Sequence, residues 1–351
     1  MREQIIAQIV KIFTLGGIST ILSFMFAPLL LKFLLKNKVY KQIRQDPNAP
    51  IFTSLHQKKG GTPTMGGIIF WFITFLIAFT ILILSFLFGG IWSFLNFVTR
   101  EQTILILGSM MLAAIVGIVD DIFNIYRIGP KGGGLPMSVR LLLHTFIASI
   151  GAWWFYVKLE WDVLYVPFVG TVHLGFWYIP FFIFVIVGTA FSLNETDGLD
   201  GLAGGVSFMA LIPYVAIAFL LGRFDLATLI AVVMGGLVAF LWFNINPAKF
   251  FMGDNGSMTL GVLFGMLAMY TNTALFLPFF LFIPFVEALS VIIQMFSKKV
   301  FKRKIFPSTP IHHSFEAKGW PETRVTMTFW LIQGMAMIFG LLIYLLSVLK
   351  T

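Results

Sequence analysis

Phe176-Trp-Tyr-Ile-Pro-Phe-Phe-Ile-Phe-Val-Ile-Val-Gly-Thr-Ala-Phe-Ser-Leu193 carries no charge, and Asn194-Glu-Thr-Asp-Gly-Leu-Asp-Gly-Leu-Ala-Gly-Gly205 follows at once; a further apolar run begins at Val206. An apolar run of this length crosses a bilayer as a helix, which satisfies its own backbone polar groups in hydrocarbon. The stretch therefore reads as two membrane-length segments joined by a polar turn. Three carboxylates, Glu195, Asp197 and Asp200, stand in that turn. Burying an unpartnered charge costs several kcal/mol, so the turn faces water. Acids beside glycines, which let a ligand approach the backbone, point to a polar, metal-bearing site. An ordinary solvated turn draws on the same residues, so the turn alone does not decide.

Working outward, the same character fills the chain. Its 351 residues are 58% hydrophobic and 11% charged, with a mean hydropathy of +0.93. A soluble chain carries about 25% charged residues. The fold class is therefore an all-α polytopic membrane protein, one integral-membrane domain over residues 1–351. Without cysteine there is no disulfide, thiol nucleophile or thiolate metal site. The first apolar run, Ile12 to Leu35, exceeds a signal-peptide core and has Lys32 and Lys36 at its far end, so it reads as a retained span. Ten apolar segments fit: 12–35, 66–88, 103–119, 138–157, 174–193, 204–222, 226–243, 256–271, 275–296 and 326–349.

Lysine and arginine set the orientation. Eighteen of the 24 fall in the odd-numbered loops or at the segment ends bordering them (Lys32 and Arg140), and six in the even loops and termini. The odd loops are expected in the cytoplasm and both termini outside. A net charge of +9 distributed this way marks topology, not a nucleic-acid surface. Asp120 and Asp121 after the third segment, Glu195, Asp197 and Asp200 after the fifth, and Asp254 after the seventh all fall on odd loops. Their convergence on one cytoplasmic face argues for a single site. The two longest loops, 36–65 and 297–325, are basic, and the second has room for a short amphipathic element at the membrane interface.

Several motifs suggest what that site handles. Lys58-Lys59-Gly-Gly-Thr-Pro-Thr64-Met-Gly-Gly67 sets two cations before a glycine-rich helix start, which suits phosphate but lacks the Walker spacing. Gly117-Ile-Val-Asp120-Asp121 puts paired carboxylates at a helix C-terminus, where their repulsion calls for a metal or a cation such as Lys131. Asn244-Ile-Asn-Pro-Ala-Lys-Phe-Phe251-Met-Gly-Asp254-Asn-Gly-Ser257 is a polar loop in which Asp254 also suits a helix N-cap. Glu287 and Gln294, seven apart, share one side of the ninth segment. Pro310-Ile-His312-His313-Ser-Phe-Glu316 fits phosphate or substrate better than zinc, since adjacent histidines point apart on a helix. His56, His144 and His173 have no constellation around them. Carboxylates, lysines and glycine turns without a Walker motif suggest magnesium-assisted phosphoryl-group chemistry on a membrane-delivered substrate.

Gly-Thr-Pro-Thr-Met-Gly-Gly, the Asp-Asp pair, Asn-x-x-Asp-Gly-Leu-Asp-Gly-Leu, Phe-Met-Gly-Asp and Pro-Ile-His-His-x-Phe-Glu, spread almost end to end, resemble the phospho-N-acetylmuramoyl-pentapeptide transferase family. It belongs to the polyprenyl-phosphate N-acetylhexosamine phosphate transferases. The resemblance implies a ten-helix, homodimeric enzyme of the bacterial cytoplasmic membrane. It would move phospho-N-acetylmuramoyl-pentapeptide from UDP to undecaprenyl phosphate with Mg2+, releasing UMP and giving lipid I. It implies Asp254 as the magnesium ligand, and Asp120 as the base for the lipid phosphate with Asp121 beside it. Lys59, Thr64, Lys131, Asn194, Asp197, Gly198, Leu199, Asp200, Asn244, Phe251, Ser257 and Gln294, with His312 and His313, would bind the substrates. Ser314 stands where a third histidine is common, Asn255 where threonine is usual, Asn124 where lysine is common, and Gly60 lengthens the first loop. A sister transferase using UDP-N-acetylglucosamine is the nearest competing reading, disfavoured by the histidine loop. A transporter would place its site at the midplane, often within inverted repeats, and none is visible.

Overall fold

The computed structural model of the protein describes residues 2–40, 61–130 and 133–350. All ten apolar segments are helical. In chain order the helices that matter are α1 (Arg2–Lys36), α2 (Ile68–Phe88), α3 (Ile104–Ile125), α4 (Met137–Trp153), α5 (Tyr178–Thr196), α6 (Leu202–Leu220) and α7 (Phe224–Asn244). They continue with α8 (Asp254–Tyr270), α9 (Leu277–Phe280), α10 (Phe282–Val300), α11 (Ile311–Ala317) and α12 (Glu322–Lys350). Among the described residues eight helices are long and apolar enough to cross a membrane, and Ala274–Phe280 with α10 makes an apolar pair bent by 93°, the geometry of a broken span or a re-entrant loop.

Helix α8 is the exception and the centre. Its 17 residues rise about 25 Å at 1.5 Å each, short of a hydrocarbon layer of about 30 Å. Every residue from Asn255 to Tyr270 is buried, as expected of a helix apolar on all sides. It packs mainly against α3 and α5. Small residues make that approach possible, as they do between helices in lipid. A Cβ on Gly117 of α3 would lie 2.4 Å from the Asn255 Cα, and one on Gly261 would lie 2.4 Å from the Ala190 Cα of α5. Side chains at either position would push α8, and with it Asp254, away from its neighbours.

Two expectations are corrected. The third segment does not end before the aspartate pair: α3 runs on to Ile125, and Asp120 and Asp121 are buried within it. The helix continues because both carboxylates find partners there, as set out below. The loop after α10 does contain a short element, α11, and His312, His313 and Ser314 on it are buried, with α11 packed on α10 and α12. Between α4 and α5, where the sequence suggested only a loop, strands β1 (Val163–Val166) and β2 (Gly170–His173) form an antiparallel hairpin with Val163 opposite His173.

Away from the acid clusters, α1 is fastened to α7 by an ion pair between buried Lys11 and half-buried Asp225. Lys11 Nζ donates to Asp225 Oδ1 at 2.7 Å and to the Asn96 carbonyl at 2.9 Å. Asp225 also sits in the first turn of α7, where a carboxylate complements the helix dipole. Removing one partner of a buried pair strands the other charge. Lys11→Ala is expected to destabilise the protein by about 1–2 kcal/mol, less than for a fully buried pair because Asp225 is half-buried, read as a lower melting temperature in detergent. An unchanged melting temperature would show that the pair contributes nothing.

Candidate functional site

Asp121 supplies what the start of α8 lacks. The first N–H groups of a helix have no partner within it, and the N-cap Gly253 has no side chain to offer. Asp121 Oδ1 accepts the Asp254 N–H at 3.0 Å, and its Oδ2 accepts the Asn255 N–H at 3.0 Å and the Asn255 Nδ2 at 2.7 Å. Trp71 Nε1 donates to Asn255 Oδ1 at 3.0 Å. An acid on one helix thus caps another, and Asn255 fits because its amide can both donate and accept. The positive partner sought for the aspartate pair is, among the described residues, the α8 N-terminus for Asp121 and Arg140 for Asp120. Lys131 and Lys59 lie outside the described residues.

Asp120 accepts a hydrogen bond from the Leu135 N–H and forms an ion pair with Arg140 Nη1 at 3.5 Å. Arg140 Nη1 also donates to Asn194 Oδ1 at 3.0 Å, and Asn194 Nδ2 donates to Asp254 Oδ1 at 2.6 Å and to Ser257 Oγ at 3.2 Å. Side chains from α3, α4, α5 and α8 therefore meet in one string, Asp120–Arg140–Asn194–Asp254. Arg140, Asn194 and Asp254 are half-buried, so the string borders accessible space. Sequence reasoning missed Arg140. Its signal was a cation inside an apolar segment, which normally faces a cavity or a partner.

Other expected residues divide between lining and holding. Asp197, half-buried, ends α5 three residues beyond Asn194. Asp200 is a clamp: its Oδ2 accepts Asn246 Nδ2 at 3.0 Å and the Ala248 N–H at 3.1 Å, while its own N–H donates to Glu322 at 2.6 Å. Asn244 ties the same turn to the Asp254 loop, accepting the Gly201 N–H at 3.0 Å and donating to the Phe250 carbonyl at 2.9 Å. Leu199 is buried beside Val325 and Phe329. The Phe251 N–H donates to the Pro63 carbonyl at 2.8 Å, bringing Thr64 alongside with a buried hydroxyl that has no partner among the described residues. Gln294 holds the loop after α10, accepting from Ile305 and Phe306 and donating to the Phe306 carbonyl at 2.8 Å. Ser314, in place of a third histidine, shares hydrogen bonds with the Ser308 backbone.

The histidines overturn the expectation that neighbouring rings diverge. His312 Nδ1 meets Glu287 Oε1 at 3.0 Å and His313 Nδ1 meets Glu316 Oε2 at 2.7 Å, which turns the two Nε2 atoms to face each other at 3.1 Å. The contacts are satisfied when one ring is an imidazolium that donates to its glutamate and to the other ring, and the neutral ring donates to its own glutamate; the raised pKa of His312 makes it a carrier of that proton. Burial alone would lower the His312 pKa, but the charge and hydrogen bond of Glu287, with Glu316 and Glu195, raise it above the ordinary 6.5. Gly198 lies against this ring, since a Cβ there would overlap the His312 Nε2. A folded pKa above the unfolded one gives stability that is full below about pH 6.5 and is lost as pH rises through the folded pKa. The melting temperature is therefore expected to fall over that upper window, and Glu287→Gln to flatten the fall. An identical pH profile in the variant would break the assignment.

Among the described residues no three acids or histidines are grouped to hold a metal ion by themselves. Residues 103–272 match the family model described as Glycosyl transferase family 4, a span that includes α3, Arg140, Asn194 and Asp254. A phospho-N-acetylmuramoyl-pentapeptide-transferase of Thermoanaerobacter sp. (strain X514) is 36% identical over 328 residues, 93% of this chain and 96% of that protein. One from Thermotoga petrophila is 37% identical over 310 residues, 88% of this chain and 92% of its own length. One from Clostridium perfringens (strain 13 / Type A) is 35% identical over 317 residues, covering 90% and 93%.

Proposed function

The chain belongs to the phospho-N-acetylmuramoyl-pentapeptide-transferase family, and from that premise we propose how its residues carry the reaction. It transfers phospho-N-acetylmuramoyl-pentapeptide from UDP to undecaprenyl phosphate, giving lipid I and UMP. The observation that carries the mechanistic reading is the string Asp120–Arg140–Asn194–Asp254, drawn from four helices to one end of the bundle. A lipid phosphate attacking a diphosphate needs charge neutralisation and in-line placement more than covalent help. Arg140 supplies a fixed cation beside Asp120. Asp120 is placed to take the lipid phosphate's proton, and attack is direct; an isolable phospho-sugar adduct on Asp120 or Asp121 would overturn that. Asp121 holds the start of α8 and so aims Asp254.

Mg2+ fits the donor set. A hard cation takes one or two carboxylates and completes its shell with substrate phosphate oxygens and water, and Asp254, half-buried at a helix start with Asn194 fixing one oxygen, is such a ligand. When bound, the ion would neutralise diphosphate charge. The remaining chain groups orient: Asn194 and Ser257 fix Asp254, and His312 packs against the Gly198 backbone. Thr64, Asp197, Phe251, Lys59 and Lys131 are proposed to contact the nucleotide sugar. The excess of Lys and Arg on odd loops supports a cytoplasmic site, external termini and residence in the inner membrane. Homodimerisation is proposed from the family resemblance. The test is purified protein with UDP-N-acetylmuramoyl-pentapeptide, undecaprenyl phosphate and Mg2+, followed as UMP release. No UMP, or equal release with UDP-N-acetylglucosamine as donor, would reject this activity.

A further inference from the structure

Helix α10 reverses the usual arrangement of an amphipathic helix. Glu287, Ser290, Gln294 and Ser297, three or four residues apart, are buried against the protein. The opposite stripe, Leu289, Ile292, Phe296 and Val300, is exposed, Phe296 by 59%. An apolar stripe turned outward from a membrane protein meets acyl chains. It ends abruptly in charge. Lys298, Lys299, Lys302, Arg303 and Lys304 follow with no acid among residues 298–304, and all five side chains are exposed. Among the described residues none of them joins an ion pair. The turn that carries them is fixed to the helix. Ser297 Oγ donates to the Arg303 carbonyl at 2.9 Å, and Gln294 holds Ile305 and Phe306. The Phe296 and Phe301 rings pack edge to face at 6.1 Å, which carries the apolar stripe past the helix end.

We propose that the end of α10 and the turn after it, residues 296–304, form a seat for anionic bilayer phospholipid, with headgroups on the five cations and acyl chains along the exposed stripe. Charge complementarity selects this occupant. Exposed like charges fixed in one short turn repel each other, and a negative leaflet surface attracts each nearby Lys or Arg by about 1 kcal/mol. The cations begin where the apolar stripe ends, so the occupant must offer negative charge and hydrocarbon at adjacent depths. A soluble nucleotide or an acidic peptide offers only the charge. A polyprenyl phosphate offers both, but its one phosphate carries at most about two negative charges, which leaves most of the cluster unbalanced. A leaflet of anionic phospholipid can present several headgroups to it. Loop orientation asks for an excess of Lys and Arg, not for cations held in a fixed turn. The same helix carries Glu287, which meets His312 at 3.0 Å, so lipid gathered at its end would brace the element that holds the histidine pair.

The test is the purified full-length protein in phosphatidylcholine bilayers, with spin-labelled phosphatidylglycerol or spin-labelled phosphatidylcholine added in turn. The fraction of each label immobilised at the protein surface gives its relative affinity, independently of turnover. Wild type is expected to prefer phosphatidylglycerol by about tenfold, and about 1 M salt should remove most of that preference by screening. Replacing Lys298, Lys299, Lys302, Arg303 and Lys304 together by glutamine should abolish the preference. Lys302→Gln, Arg303→Gln and Lys304→Gln together should lower it about fivefold, and this smaller change tests the same seat should the larger one insert poorly. Arg2→Gln with Arg100→Gln, cations far from the turn in the chain, should leave it unchanged. Equal immobilisation of the two lipids by wild type overturns the proposal, as does an undiminished preference in either turn variant. Displacement of labelled phosphatidylglycerol by undecaprenyl phosphate as readily as by unlabelled phosphatidylglycerol also overturns it, since the turn would not then select bilayer phospholipid.

Discussion

Asp254→Asn is expected to lower UMP release by roughly a thousandfold, about 4 kcal/mol of transition-state stabilisation, with the protein still folded. The substitution is nearly isosteric, so Asn194 Nδ2 can still donate to an oxygen at this position, as it does now at 2.6 Å. The Asp254 N–H, bonded to Asp121 at 3.0 Å, belongs to the backbone and is untouched. Only the charge disappears. At a helix start that charge contributes up to about 1 kcal/mol through the dipole, and its loss also relieves repulsion from nearby Asp121. The melting temperature should therefore hardly move while activity collapses. The same protein stripped of Mg2+ by chelator should stop releasing UMP, and restored Mg2+ should rescue wild type but not the variant. Near-normal UMP release from Asp254→Asn would remove Asp254 from any role in balancing diphosphate charge.

Hydropathy made the eight long apolar helices legible because a bilayer imposes a length and a composition on each, and it found α8 and the bent α9–α10 pair as apolar runs without showing that one is short and the other sharply bent. It also showed that the acids share a face, since loop parity follows directly from the count of spans. It could not show where a helix ends when its last turns carry charges with distant partners. Asp120 and Asp121 look like the residues beyond a helix until Arg140 and the α8 N-terminus are brought to them in space. The same limit explains the histidines. Local helix geometry sends adjacent rings apart, and only Glu287, twenty-five residues upstream, turns His312 toward His313. Residues that hold and residues that touch substrate cannot be told apart in a motif, because both are polar and close to glycine. Asp200, one of the acids of that motif, is such a holding residue, since its carboxylate accepts from Asn246 and the Ala248 N–H.

Asp121→Ala is expected to do what Asp254→Asn does not: lower activity by losing structure. Three donors now end on the Asp121 carboxylate, the N–H groups of Asp254 and Asn255 and the Asn255 side-chain amide. Each buried donor left unsatisfied costs about 1–3 kcal/mol, so a loss of about 4 kcal/mol is a moderate expectation, since Asn255 can turn and water can enter. The cost falls on the first turn of α8, whose Gly253 has nothing to offer in replacement. Asp254 would then lose its fixed aim, and the apparent affinity for Mg2+ should weaken together with the melting temperature. Asp120→Asn gives the contrast in where the cost falls, because the amide oxygen it introduces can still accept from the Leu135 N–H while the ion pair with Arg140 is lost: the variant should melt below wild type through that stranded charge, be nearly inactive, and leave the apparent affinity for Mg2+ less affected than Asp121→Ala does. If Asp121→Ala melts like wild type while activity alone is lost, Asp121 acts on the substrate and not on the helix. The two aspartates, adjacent in the chain, would then share the chemistry instead of dividing it into a proton acceptor and a cap.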